Sequence, residues 1–248
     1  MTVRRILTVV FSLCVIATVV ITAQWAQRSP LFTLKEINWV DYPSQAPFEK
    51  EVILGLVDAP INSVNLFDLD LEPLKKRVLT HPWVKNITIS KIFPYSLGIS
   101  VEFREPVALF QNSDGELSYI DKEGFIFGPF EPKRLSNLPT LVGFDETDAI
   151  LLQGGIKLLE DWKSSKYRHL GLIASISHDK EKGFRSILRY GKHGRAVLEL
   201  GHDLQAIDTR EMEHLAATIT YLENKNIDAY QIFVGNGKKI VVRTHPGS

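Results

Sequence analysis

The side chains able to do chemistry in this chain are seven histidines, at 81, 169, 178, 193, 202, 214 and 245, one cysteine, and acidic pairs such as Glu102 with Glu105. A histidine beside a carboxylate could hold a metal or move a proton, and two neighbouring acids could share acid–base work. The spacing supports neither. His178-Asp179 and Glu213-His214 are the tightest combinations, and each lacks a second ligand at metal spacing, so solvated surface roles are expected. Glu102 and Glu105 fall where a strand end turns outwards. The chain has no Gly-x-Ser-x-Gly elbow, no His-Glu-x-x-His, no Walker loop and no Gly-x-Gly-x-x-Gly. The expectation is no catalytic residue, no metal, no cofactor and no small-molecule substrate, with function carried by protein binding.

Cys14 lies inside an uncharged run, Ile6 to Ala23, so the remainder of the chain has neither a disulfide nor a reactive thiol. At about 1.5 Å per residue that run is about 27 Å long, close to the hydrocarbon thickness of a bilayer. Arg4 and Arg5 precede it and Trp25 follows at the depth of an aromatic anchor, which predicts a single membrane span with a cytoplasmic amino terminus. A cleaved signal peptide is the competing reading. Ile21 and Gln24 stand where a small residue is wanted upstream of cleavage at Ala23 or Ala26, so retention is expected. Charge points to no polyanionic partner: 29 basic residues balance 29 acidic ones, and the part beyond the span is slightly acidic once Arg4, Arg5 and Arg28 are set aside. Nucleic acid is therefore not expected as a partner.

Two modules follow the span. Phe32 to Val40 alternates as a half-buried strand, and a helix with Pro47 in its first turn carries Val52, Ile53, Leu56 and Val57. Asp70 caps a second helix that carries Leu71, Leu74, Val78 and Leu79. A hairpin then runs from Val84 through Phe93-Pro94 to Phe103. The order β-α-α-β-β predicts a three-stranded sheet with two helices on one face. Trp83 and Phe93, aromatic residues beside proline, are expected to pack the hairpin against those helices. From Pro106 the pattern becomes short strands at 107–111, 117–121 and 125–127, then a stretch broken by Pro129, Pro132 and Pro139, then a helix over 147–163 weakened by Gly154-Gly155. Strands near 170–177, 184–190 and 196–200 precede a well-patterned helix over 207–225. Strands 229–234 and 238–243 flank the turn signal Gly235-Asn236-Gly237. The predicted organisation is a tail (1–5), a transmembrane helix (6–26), a first domain (31–105), a β domain (106–243) and a short end (244–248).

These residues carry a resemblance. His81-Pro82-Trp83-Val84, Lys91-Ile92-Phe93-Pro94 and Glu102-Phe103-Arg104-Glu105-Pro106-Val107-Ala108 resemble the motif series of the FtsQ/DivIB family, and Tyr119 to Phe127 resembles its Asp-x-x-Gly-x-x-Phe hairpin. Leu200-Gly201 before a long helix and a terminal hairpin completes the series. The resemblance implies an α+β fold: a single transmembrane helix, a polypeptide-transport-associated (POTRA) domain, and a mostly antiparallel β domain with two helices. It implies a non-enzymatic scaffold of the bacterial inner membrane at the division septum, with periplasmic domains, essential for septum formation. Partners would be FtsB- and FtsL-like bitopic proteins and other divisome proteins. A partner strand would add to the last strand region, at positions matching Val234, Asn236, Gly237 and Val242, with Arg185 placed to meet a partner carboxylate. The family often has Asp-Leu-Arg-Tyr where this chain has Gln231-Ile232-Phe233-Val234, which predicts an interface with one basic and one aromatic contact fewer. The amino-terminal tail is also shorter than is usual. Two other readings compete: a periplasmic POTRA chaperone of outer-membrane assembly, which should show tandem POTRA repeats or a barrel, and a membrane-anchored wall enzyme, which needs a convergent polar site.

The physical reading of the last hairpin points the same way. A final strand has one neighbour by chain order, and Ile240-Val241-Val242 has high β-propensity with only Lys238-Lys239 to guard it. Val241 thus joins the expected partner-binding residues.

Overall fold

The computed structural model describes all residues except 1, 133–136, 165–170, 192–193, 203–208, 235–238 and 245–248. It divides into two compact units, Met1–Arg104 and Glu105–Ser248.

The first unit opens with α1 (Thr2–Arg28), which contains the whole Ile6 to Ala23 run. Its large apolar side chains from Leu7 to Ile21 stand exposed, with Thr18 and Thr22 bonding back to carbonyls of their own helix at 2.8 and 2.9 Å. The described side chains on α1 are those of 7–22, 24 and 25. Among the described residues no helix is long and apolar enough to cross a membrane, which says nothing of a β-barrel.

A 3-10 turn (Pro30–Phe32) capped by Ser29 leads to β1 (Glu36–Asp41), α2 (Lys50–Val57), α3 (Glu72–Leu79), β2 (Val84–Ile92) and β3 (Ser96–Phe103). Strand β1 therefore starts later than alternation suggests, because Phe32 to Lys35 bond instead to the 61–66 loop and to Tyr95. Pro47 lies ahead of α2 rather than in its first turn. At α3, Pro73 occupies the opening turn, where a missing N–H costs nothing, and the Asp70 carboxylate accepts the Glu72 N–H at 3.0 Å. In the sheet order β1-β3-β2, β3 is central, parallel to β1 and antiparallel to β2. Its odd-numbered side chains Leu97, Ile99 and Val101 share a face with Ile87 and Ile89 of β2, and with them Ile53, Val57, Leu74 and Val78 of the helices are buried. On the other face Gly98 leaves room for Val40 and Ile92, whose methyl carbons would stand 2.8 Å from any β-carbon there.

Trp83 and Phe93 part company. Trp83 is 6% exposed and meets Phe48 edge-on at 5.9 Å. Phe93, at the hairpin turn, is 50% exposed and contacts Phe32 and Phe67. The expectation that Phe93 packs against the helices is corrected: at the turn between β2 and β3 its ring meets Phe32 of the 3-10 turn and Phe67 of the loop ahead of α3.

The second unit is one sheet in the order β12-β11-β10-β9-β8-β7-β4-β5-β6. Its strands are β4 (Pro106–Gln111), β5 (Leu117–Asp121), β6 (Ile126–Pro129), β7 (Thr140–Val142), β8 (Leu172–Asp179), β9 (Gly183–Tyr190), β10 (Gly194–Gly201), β11 (Ala229–Val234) and β12 (Ile240–Thr244), with helices α4 (Ala149–Ser164) and α5 (Thr209–Asn224). Most neighbours are antiparallel, but β7 runs parallel to both β4 and β8, and β10 parallel to β11. Parallel neighbours need a crossover, and α4 joins β7 to β8 as α5 joins β10 to β11. Both crossovers step towards β12, so one handedness places both helices on one face. There Leu152, Ile156, Leu159 and Trp162 of α4 and Leu215, Ile219 and Leu222 of α5 share a core with Ile176, Leu188, Leu198 and Ile232. Each fully buried large apolar side chain contributes about 1.5–3 kcal/mol.

Strand β7 was not anticipated. Three residues behind a proline are too few to show a period, yet β7 bridges the two halves of the sheet. The weak point of α4 has a reason too. A β-carbon at Gly155 would stand 2.9 Å from Cζ of buried Phe144. Gly155→Ala should therefore lower stability by about 1–3 kcal/mol despite alanine's better helix propensity, as urea titration would read. A stabilised variant would show that the Phe144 ring moves aside freely.

Candidate functional site

The residues with chemical potential are dispersed. His81 lies edge-on to Phe48 at 4.6 Å and His178 to Phe184 at 5.0 Å, while a ring nitrogen of His202 lies 3.0 Å from the Glu181 carbonyl oxygen. His214 is exposed on α5, and 169, 193 and 245 lie outside the described residues. Glu102 pairs with Lys85 at 3.3 Å. Among the described residues no three His, Cys, Asp or Glu side chains form a metal-holding group.

The β12 end of the large sheet is where the expected partner-binding residues fall. Among the described residues β12 pairs with β11 alone and forms the sheet's edge, so its other side carries backbone donors and acceptors with no strand beside them. Pairing with β11 runs Ile232 with Val242, Phe233 with Val241 and Val234 with Ile240. Partners in register share a face, which sorts the side chains. Ile240 and Val242 pack against the helix-covered core and Val234 is buried within it, whereas Val241 stands half exposed on the opposite, open face.

That open face carries a row crossing four strands: Arg185 on β9 faces Glu199 on β10, which faces Phe233 on β11, which faces Val241 on β12. Arg185 Nε donates to Glu199 Oε1 at 3.1 Å, and the same oxygen accepts from Gln231 Nε2 at 2.9 Å. Arg243 Nη1 in turn donates to Gln231 Oε1 at 3.2 Å, and its guanidinium lies over the Phe233 ring at 5.1 Å. A hydrogen-bonded chain therefore links Arg185 to the edge strand, ending in a cation stacked on an aromatic ring. The β11 end of the hairpin is anchored by Tyr190, whose hydroxyl accepts the Ala229 N–H at 3.0 Å. Burial pushes its phenol above the ordinary range, which keeps it neutral.

The expected partner-binding residues are thus only partly brought together. Val241 lies on the edge strand's open face. Arg185 shares its row but sits three strand spacings away, about 14 Å, and its guanidinium already meets Glu199. Val234 and Val242 turn towards the domain's own core, so their expected role as direct contacts is corrected: with a side-chain period of two, neighbours on one strand cannot share a face. Asn236 and Gly237 lie outside the described residues. Phe233 and Arg243 put a ring and a cation on this face. Alternation along 240–243 paired with 231–234 is the sequence signal that puts Arg243 on this face. Arg185→Glu would set two carboxylates face to face on this row. It should lower the melting temperature by the equivalent of about 1 kcal/mol at low salt, less at high salt, because the pair is partly exposed. A melting temperature that does not move at low salt would mean the Arg185–Glu199 pair is thermally silent.

The family model described as POTRA domain, FtsQ-type, matches residues 49–104. The cell division protein FtsQ of Hahella chejuensis is 25% identical over 154 residues, covering 62% of this chain and 50% of that protein. The cell division protein FtsQ of Rhizobium radiobacter is 30% identical over 107 residues, covering 43% of this chain and 49% of that protein, and that of Bartonella bacilliformis is 33% identical over 91 residues, covering 37% and 28%. This chain spans about half the length, or less, of these curated relatives. With an α+β architecture whose first unit carries a match to the FtsQ-type POTRA domain, the chain is similar to the FtsQ cell division proteins.

Proposed function

We propose that this protein is a non-enzymatic cell-division scaffold, anchored once in the inner membrane by α1, with periplasmic domains that capture FtsB- and FtsL-like partners by strand addition at β12. Septum formation depends on that capture. The single observation that carries the reading is β12 itself, an edge strand bonded only to β11 among the described residues, rich in β-formers and backed by a preordered polar row. Main-chain bonds to an added strand supply affinity, and Phe233, Val241 and Arg243 supply side-chain selection for a partner with an apolar residue and a carboxylate. The division proteins among the relatives favour this reading over the outer-membrane chaperone. Calorimetry of the chain with an FtsB-like periplasmic segment tests it, and absence of binding at high micromolar concentration would defeat it.

The anchor has its own test. Within α1 the uncharged run Ile6 to Ala23 rises about 27 Å, close to a hydrocarbon layer of about 30 Å, and Arg4, Arg5 and Arg28 lie outside it. Arg4 and Arg5 are expected to remain cytoplasmic, with Ile6 to Ala23 retained in the mature protein. Mass spectrometry of the mature amino terminus, with protease accessibility in spheroplasts, reads both. A mature chain starting after Ala23 or Ala26 would sink the anchor.

A further inference from the structure

Phe32, Phe67 and Phe93 close on one another at the surface of the first unit, with ring centroids 5.1, 5.0 and 6.2 Å apart. Phe67 is 44% exposed and Phe93 50%, and Leu31 beside them is 50% exposed. Three rings gathered on each other yet open to solvent form an apolar patch that folding alone does not require. The patch lies at the end of α1. Ser29, the first residue beyond the helix, bonds through its carbonyl to Asn65 Nδ2 at 3.3 Å. Leu66 N–H donates to the Phe32 carbonyl at 2.8 Å, Leu34 N–H to that of Val64 at 3.0 Å, and Lys35 N–H to that of Tyr95 at 2.8 Å. From Ser29 on, the segment that leaves α1 is therefore tied by hydrogen bonds to the body of the first unit, and the rings follow the helix without a long free linker.

We propose that this aromatic patch seats the POTRA unit in the headgroup layer of the outer leaflet of the membrane that α1 crosses, an inference that rests on the reading of α1 as a span. The distances fit. From Ala23 to Arg28 the helix rises about 8 Å, and the headgroup layer is about 5–8 Å thick on each side of the hydrocarbon. The last turn of α1 therefore lies in that layer, with Trp25, 62% exposed, at the depth where aromatic anchors gather. Leu31 and the three rings then meet the layer's outer part, and a modest helix tilt brings them deeper. Charge is not the driving force. Asp68 and Asp70 adjoin the patch, and Lys35 is turned over the Tyr95 ring at 5.3 Å, so the seat works by partition of rings into neutral, zwitterionic lipid. Its effect is to fix how the POTRA unit is tilted against the bilayer.

The test uses the full chain with Cys14→Ser, reconstituted in phosphatidylcholine nanodiscs. A nitroxide is placed on Asp68→Cys beside Phe67 or on Val15→Cys within α1, and accessibility to oxygen is compared with that to a water-soluble nickel chelate. Position 15 should favour oxygen strongly, and position 68 should be shifted towards oxygen relative to free label. Adding Phe67→Ser with Phe93→Ser should return position 68 to the free-label value, and raising salt should leave it unchanged. If position 15 reads lipid but position 68 reads as free label, the rings face water or a protein and the proposal falls while the anchor stands. An oxygen-favoured position 68 unmoved by the two serines, or lost at high salt, would also overturn it. If position 15 itself reads as water, the anchor reading fails first.

Discussion

Proline at one of the neighbouring positions 241 and 242 is expected to weaken partner capture by at least about tenfold with the domain still folded, whereas proline at the other mainly destabilises the domain. Successive residues of an antiparallel strand turn their N–H groups alternately to the two sides. On β12 one of this pair donates to β11 and the other to the free edge. Losing an outward donor forfeits a net bond of about 1 kcal/mol and adds the bulk of the ring where a strand must dock. The side chains alternate as well, and this gives an independent contrast. Val241→Glu should spare the melting temperature and reduce binding, because Val241 is 52% exposed on the open face. Val242→Glu should depress the melting temperature, because Val242 packs against the domain's own core and a carboxylate there loses solvation. Calorimetry with an FtsB-like segment, paired with a thermal melt of each variant, separates the effects. Parental affinity in every folded variant would place the strand-addition site elsewhere.

Removing the Trp83 ring should cost about 3–5 kcal/mol, the range for deleting a large buried aromatic. The indole is 6% exposed and meets Phe48, which in turn contacts His81 and Phe103, so the vacated volume is bounded by rings that cannot all collapse into it. The Trp83 carbonyl also accepts the Arg104 N–H at 2.8 Å, at the close of the first unit. Domains hold only about 5–15 kcal/mol of stability, so Trp83→Ala should lower the melting of the POTRA unit by many degrees. Phe93→Ala is the control: with half its surface in water, it should cost no more than about 1 kcal/mol. Scanning calorimetry of the full chain in detergent reads both. An unmoved transition for Trp83→Ala, with partner binding lost, would make that ring an interface residue.

The sequence alone determined the local elements whose signals are local. Proline at the start of α3, strict alternation in β2 and β3, and the apolar stripe of α5 each report on neighbours a few residues away, and each element stands where that chemistry puts it, whereas Asp70 falls one residue ahead of Leu71, the cap position of α3. The β-α-α-β-β order and the edge position of a last strand were legible for the same reason. Tertiary structure decided what depends on residues far apart in the chain. Strand β7 exists because β4 and β8 flank it, not because Thr140 to Val142 announce a period. The glycine in α4 is explained only by Phe144 arriving from the loop ahead of it. At the candidate site the turn glycines located the hairpin, but they could not say which face of β12 meets the helices. That choice follows from the β10–α5–β11 crossover, and it moved Val234 and Val242 inward and left Val241 out. The chain of bonds from Arg185 to Arg243 joins four strands, one pair of them parallel. Nothing in the spacing of those residues encodes it, because register across the β10–α5–β11 crossover is set by packing of the sheet and not by a tight turn.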